Sequence, residues 1–182
     1  YEYDGFGRVK KQTTQIGYTQ YHQLQTYDSF SRPNVTTFPT GTVSVASRTH
    51  YSSNGYRYKT ARVSDGYSLS EVKTMNSRGQ VTEMRNGNNV TTTYGHDSQT
   101  GWLDAINVAK SSTLLHHLDI SHDVRGNVTS KRSNYAASSG IGSDFTETYS
   151  YDALNRLRTR NIGYTAGSNS LPAAFKGEHS YT

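Results

Sequence analysis

Four residues, His116, His117, Asp119 and His122, form the densest group of potential metal ligands in the chain. Imidazole and carboxylate can hold zinc, but only where they converge on one point. On a strand, successive side chains alternate between faces. His117 and Asp119 then share one face, while His116 and His122 share the other. The set is split, so no metal site is expected. His122 and His96 read instead as structural rings. Gly5-Phe6-Gly7 and Gly140-Ile141-Gly142 have the outset of a phosphate-cradling loop. Neither continues with the further glycine or opens a helix, as that chemistry needs. Recurring aspartates could supply the paired acids of glycoside hydrolysis, which must converge across a sugar. Here they recur once per hairpin along one rim, and their offset to Gly assigns them to turn capping. No Gly-x-Ser-x-Gly elbow occurs and there is no Cys, which removes a serine-hydrolase anchor and all thiol chemistry. No catalytic residue, no cofactor and no metal is expected.

The elements that carry these residues are repeats. Tyr3-Asp4-Gly5-Phe6-Gly7-Arg8-Val9 aligns with Tyr151-Asp152-Ala153-Leu154-Asn155-Arg156-Leu157. The shared form is an aromatic, Asp, two variable residues, Gly or Asn, a basic residue and an aliphatic one. More worn copies stand at Tyr27-Asp28, at Ser52 with Gly55, at Asn76 with Gly79, at Asp97 with Gly101, and at Asp123 with Gly126. The Asp-equivalent positions are 4, 28, 52, 76, 97, 123 and 152, at intervals of 24, 24, 24, 21, 26 and 29. Asp or Asn opens a type I turn by accepting hydrogen bonds from backbone N–H groups ahead of it. The Gly or Asn that follows tolerates the left-handed conformation that ends such a turn in a bulge.

Each period must also return. Asp65-Gly66 and Asn86-Gly87 are two-residue hairpin signals; Asn161-Ile162-Gly163 and Thr40-Gly41 are read as weaker return turns. The expected fold is all-β: about seven consecutive antiparallel hairpins of period about 24, hence roughly 14 strands. The one helical candidate, Val108 to Ser121, is explained as well by strand alternation through Leu114, His116, Leu118, Ile120 and His122.

Composition agrees with a thin sheet. Hydrophobic residues make up 32% of the 182, the 15 Tyr compensate in part, and mean hydropathy is -0.81. Tyr joins a large apolar ring to a polar tip and suits a surface wetted on one side. The net charge of +5 is dispersed, with no clustered patch for specific nucleic-acid binding. No run reaches the ~18–20 apolar residues of a membrane-spanning helix. Asn34-Val35-Thr36, Asn89-Val90-Thr91 and Asn127-Val128-Thr129 fit the glycosylation sequon, but two of these arise from the repeat's own post-turn segment. The chain begins inside one copy, has neither initiator Met nor signal peptide, and closes on what reads as the start of another; residues 1–182 are expected to be one repeat segment of a longer polypeptide. An isolated strip of such hairpins is expected to be poorly stable or aggregation-prone.

The Tyr-Asp-x-x-Gly/Asn-Arg-aliphatic copies at Asp4 and Asp152, with the near-complete one at Asp123, resemble the YD/Rhs repeat, and the resemblance extends over essentially the whole chain. That repeat occurs in bacterial Rhs polymorphic toxins, in Tc insecticidal toxins, in wall-associated bacterial proteins and in teneurins. The resemblance implies a strip of a large hollow β-shell. It implies partners too: a toxin or effector cargo domain of the same polypeptide, neighbouring repeats and a delivery machinery. It also implies a bacterial protein, secreted or at the cell surface. The family's Asp-Pro self-cleavage junction has no counterpart, since none of Pro33, Pro39 and Pro172 follows Asp. The alternative is an extracellular adhesin module binding carbohydrate through exposed Tyr.

Overall fold

A computed structural model describes residues 1–39, 45–136, 143–164 and 177–180. No helix occurs among them; none, therefore, is long and apolar enough to cross a membrane. The described strands form one 15-stranded antiparallel sheet whose order is the order of the sequence. This is the expected meander of hairpins, with one strand more than the estimate.

The chain divides into two compact units, Tyr1–Lys73 with Arg85–Asn88, and Thr74–Met84 with Asn89–Thr182. The first unit holds β1 (Glu2–Tyr3), β2 (Val9–Ile16), β3 (Thr19–Tyr27), β4 (Pro33–Phe38), β5 (Val45–Tyr51), β6 (Arg57–Arg62) and most of β7 (Ser68–Met75). The strand β8 (Val81–Asn86) is shared between the units. The second unit continues with β9 (Val90–His96), β10 (Leu103–Lys110), β11 (Thr113–His122), β12 (Val128–Tyr135), β13 (Ser143–Tyr151), β14 (Leu157–Tyr164) and β15 (Gly177–Ser180).

The alternative at Val108 to Ser121 is decided for strands. Lys110 pairs with Thr113 across Ser111-Ser112, and Ser111 takes a left-handed φ of 54°. A helix would have left these ladder groups without their cross-strand partners.

Three return turns depart from expectation. At Asp65-Gly66 the closing pair is Arg62 with Tyr67, so four residues form the loop. Gly66 N donates to Arg62 O, and only Gly66 is left-handed, whereas a two-residue type I′ turn needs two such residues. At Asn86-Gly87 the left-handed residue is Asn89, and Gly87 N still donates to Leu69 O as part of the ladder. Asn161-Ile162-Gly163 does not turn at all: the three residues pair with Thr148, Glu147 and Thr146 inside β14. β-Branched Ile162 and flanking Tyr164 suit a strand, and this outweighs the local Asn and Gly signal. Thr40-Gly41 and Gly140-Ile141-Gly142 lie outside the described residues. An unforeseen return turn, Gly17-Tyr18, joins β2 to β3, with Ile16 facing Thr19 and Gly17 at φ 60°.

The sheet carries no thick apolar core. Ala61 is the only buried hydrophobic residue among those described, and Thr92 and Ser133 are the buried polar ones. Along β10 every residue from Leu103 to Ala109 is half-buried, with no alternation of period two. The expectation of one dry and one wet face therefore fails there: both faces of β10 are half-buried.

Candidate functional site at the repeat corners

The Asp4 corner sets the pattern for the repeats. Asp4 N donates to Arg8 O at 2.8 Å, and Gly7 N donates to Asp4 O at 3.0 Å. The second bond closes a type I turn, and Gly7 then turns left-handed at φ 77°. The Asp4 carboxylate locks the corner from the side: its Oδ1 accepts from Phe6 N and Arg8 N, each at 2.9 Å. Asp28, Asp123 and Asp152 repeat this double acceptance. Asn76 does the same with its amide oxygen, at 3.0 Å to Arg78 N and Gln80 N. At Ser52 the hydroxyl takes the carboxylate's place, its Oγ accepting from Tyr56 N at 3.1 Å. Asp97 closes a corner with one extra residue by accepting from Gln99 N and from Thr100 N and Oγ1.

The left-handed residues are Gly7, Ser31, Gly55, Gly79, Gly101, Gly126 and Asn155. Six corners then share a feature that was not read from the sequence. The residue before the Asp position pairs with the residue five beyond it (six at Asp97, whose turn is one residue longer), after which the register slips by one. Tyr3 faces Val9 while Glu2 faces Lys11; the same slip follows Tyr27, Tyr51, His96, His122 and Tyr151. One extra residue on the outgoing strand bends and twists it locally.

The basic residue four positions after the Asp has two tasks, and its role was missed by sequence reasoning. Arg8 Nε and Nη2 both reach Asp4 Oδ2 at 2.7 Å. Its guanidinium also lies over the ring of Tyr27, the aromatic of the next copy, at 4.3 Å. Arg32 repeats the arrangement, with Asp28 Oδ2 at 2.7–2.8 Å and the Tyr51 ring at 4.1 Å. Phe6 and Phe30 flank the same guanidinium groups at 5.0 and 4.9 Å. The phenols of three repeat Tyr are tied down as well: Tyr27 donates to Val9 O, Tyr51 to Pro33 O and Tyr151 to Val128 O, at 2.8–2.9 Å. One corner thus holds the next by a cation–π contact and a hydrogen bond. A fixed distance from Asp to Arg was the available signal for this clamp.

In the second unit the contacts between corners change chemistry but keep their place. Arg78 Nη2 donates to Ser98 O and Gln99 O, and Gln80 Nε2 donates to Gly101 O. The Trp102 and His122 rings meet at 5.3 Å. Arg125 and Asn127 reach Asn155 Oδ1. Across the strands themselves runs a row of rings: His116 stacks on Tyr135 at 4.2 Å, Tyr135 faces Phe145 at 6.4 Å, and Phe145 faces Tyr164 at 6.0 Å.

The histidines of the ligand-like group are separated in use. His117 bonds Asn107 and Asp119 through its two ring nitrogens, whereas His116 and His122 belong to ring contacts. No group of three or more potential ligands converges among the described residues.

All five corner aspartates are held below the ordinary carboxylate range. The Arg8 side-chain hydrogen bond is the main cause at Asp4, and the Asn127 side chain at Asp123. At Asp97 and Asp152 backbone N–H groups of Thr100 and Arg156 lead. At Asp28 burial opposes the shift but is outweighed by hydrogen bonds from Arg32 and Phe30. These carboxylates are engaged acceptors, placed to hold turns closed.

Known structures place the architecture. No protein-family model and no curated protein matches the chain. Among solved structures it is similar to a chain of the crystal structure of TcdB2-TccC3-Cdc42, at TM-score 0.70 and 22% identity, over 87% of this chain and 9% of that one. A chain of TcdB2-TccC3 gives TM-score 0.64 and 19% identity, over 90% of this chain and 11% of that one. A chain of TcdB2-TccC3-TEV gives 0.62 and 18%, over 93% and 11%. This chain therefore spans about a tenth of the length of the chains it matches. Its fold is that of the TcdB2-TccC3 Tc-toxin chains, in agreement with the YD/Rhs resemblance of its repeats.

Proposed function

We propose that this chain is a wall segment of a β-shell that encloses a C-terminal toxin domain of the same polypeptide until delivery. Corner-to-corner clamping is the observation that carries this reading. Arg8 on Tyr27 and Arg32 on Tyr51 join successive hairpins side by side, which is what a wall needs and a catalyst does not. The likeness in fold to the TcdB2-TccC3 chains supports it. In this reading the residues make and break no bonds; their work is exclusion, and their partners are the neighbouring repeats, the enclosed domain and a delivery machinery. A bacterial protein acting outside the cell or at its surface fits the same reading.

The test is limited proteolysis of the full-length polypeptide. The downstream domain is expected to survive protease concentrations that digest it when expressed alone, and to lose that protection when Arg8 and Arg32 are both changed to Ala. Equal digestion of enclosed and free domain would refute containment. One observation favours the adhesin alternative: Tyr18 stands fully exposed at the tip of the β2–β3 hairpin. Tyr27 and Tyr51, by contrast, each have a ring face under an arginine. Glycan binding lost on Tyr18→Ala would favour the adhesin.

A further inference from the structure

In the second unit a pocket of about 260 Å³ lies between the Asp123 and Asp152 corners. Its origin is a break in the repeat. At Asp4 and Asp28 the fourth residue onward is Arg, whose guanidinium bridges the corner carboxylate and the next copy's Tyr ring. At Asp123 that position is Asn127. Its amide reaches Asp123 Oδ2 at 2.9 Å and Asn155 Oδ1 at 3.1 Å, but it brings no charge and no flat cationic face to the aromatic ring.

The rest of the arrangement is retained. Tyr151 donates to Val128 O at 2.8 Å, the same carbonyl position that holds Tyr27 through Val9 and Tyr51 through Pro33. Asp123 Oδ1 caps its turn with the same two N–H bonds. Tyr151, Tyr149, Thr129 and Asn127 line the pocket, with Asp123 and Asp152. Asp152 is already paired with its own Arg156 at 2.7 Å. Arg125, also lining, is turned to Asn155 Oδ1 at 3.3 Å and is the opposing charge an incoming cation meets.

We propose that this pocket binds the guanidinium group of an arginine side chain presented by a partner segment, seated as Arg8 and Arg32 are seated in the sister copies. The first unit thus supplies the template for the group that the Asp123 corner lacks. A guanidinium offers a plane for the Tyr151 ring and in-plane donors for the Asp123 carboxylate. An ammonium offers only a compact charge, so arginine is preferred to lysine. The site is independent of whether the chain walls a container.

The experiment is an NMR titration of the full chain with N-acetyl-arginine amide and, separately, with N-acetyl-lysine amide. Saturable shifts are expected at the Tyr151 ring and at the Arg125 and Asn127 amides with the arginine compound, and weaker ones with the lysine compound. Asn127→Arg restores the repeat residue and is expected to abolish binding, because the chain's own guanidinium then fills the place. Asp123→Asn keeps the corner closed, as Asn76 does in this same chain, and is expected to weaken binding about two- to five-fold. Arginine and lysine compounds acting alike, or unchanged binding in Asp123→Asn, would overturn the proposal. So would shifts scattered away from the pocket.

Discussion

The left-handed residue of each corner sets how easily that corner closes. Five of the seven are Gly, which takes this conformation without steric cost, and Asn155 takes it with little. Ser31, at φ 62°, is the exception. Ser31→Gly is therefore expected to stabilise the protein by about 0.5–1 kcal/mol, and Gly126→Ala to destabilise it by about 1–2 kcal/mol. A Cβ on Gly126 would sit at φ 89° and only 3.0 Å from the Trp102 ring. Urea midpoints of the two variants against the parent check both signs. The capping Asp and left-handed Gly were legible in the sequence because a turn demands particular residue types at fixed offsets. The task of Arg8 and Arg32 was not, since their ring partners lie in the next copy and only the folded ladder brings them close.

At the level of the strand, local signals proved weaker than pairing. Asn161-Ile162-Gly163 contains two good turn residues, yet Asn161 pairs with Thr148 on one side and Glu178 on the other. A ladder with neighbours on both sides satisfies backbone groups that a turn there would leave open. Asn161→Pro should then cost about 2–3 kcal/mol, because Pro deletes a ladder donor in a doubly flanked strand. Pro in a genuine return loop would be far milder. Loss of urea stability checks this, and a neutral substitution would return the segment to the loop class. The recurrent register slip was illegible for a different reason. It inserts one residue without special chemistry, Lys10 in one copy and Thr129 in another, so no residue type announces it.

For the molecule as a whole, the corners act together when pH changes. Asp4, Asp28, Asp97, Asp123 and Asp152 are each held below the usual carboxylate value in the folded chain. A group with a lowered folded pKa adds stability above its unfolded pKa, and that stability is lost as pH falls through the folded value. Urea stability is expected to hold from neutrality to about pH 5 and to fall below about pH 4. Replacing all five by Asn should flatten this profile, since Asn76 already shows that an amide caps the same corner. Stability that rises on acidification would contradict the assignment. The all-β meander itself was readable because period, turn chemistry and composition agreed; the half-burial of both faces of β10 was not, because it depends on packing between strands rather than on alternation within one.

Strand order that copies sequence order, with the Asp4 corner gripping the Asp28 corner and that one the Ser52 corner, has a consequence for lineage. The intervals of 24 residues that recur early in the chain mean that a gene could gain or lose one such block in frame, and the cut ends would meet the same guanidinium-and-phenol surface they met before. Capacity in such an architecture would be tuned by duplication and deletion, with no new contact to invent. Copies that drift, as the one at Asp123 has by exchanging its basic residue for Asn127, would be free to acquire guests of their own.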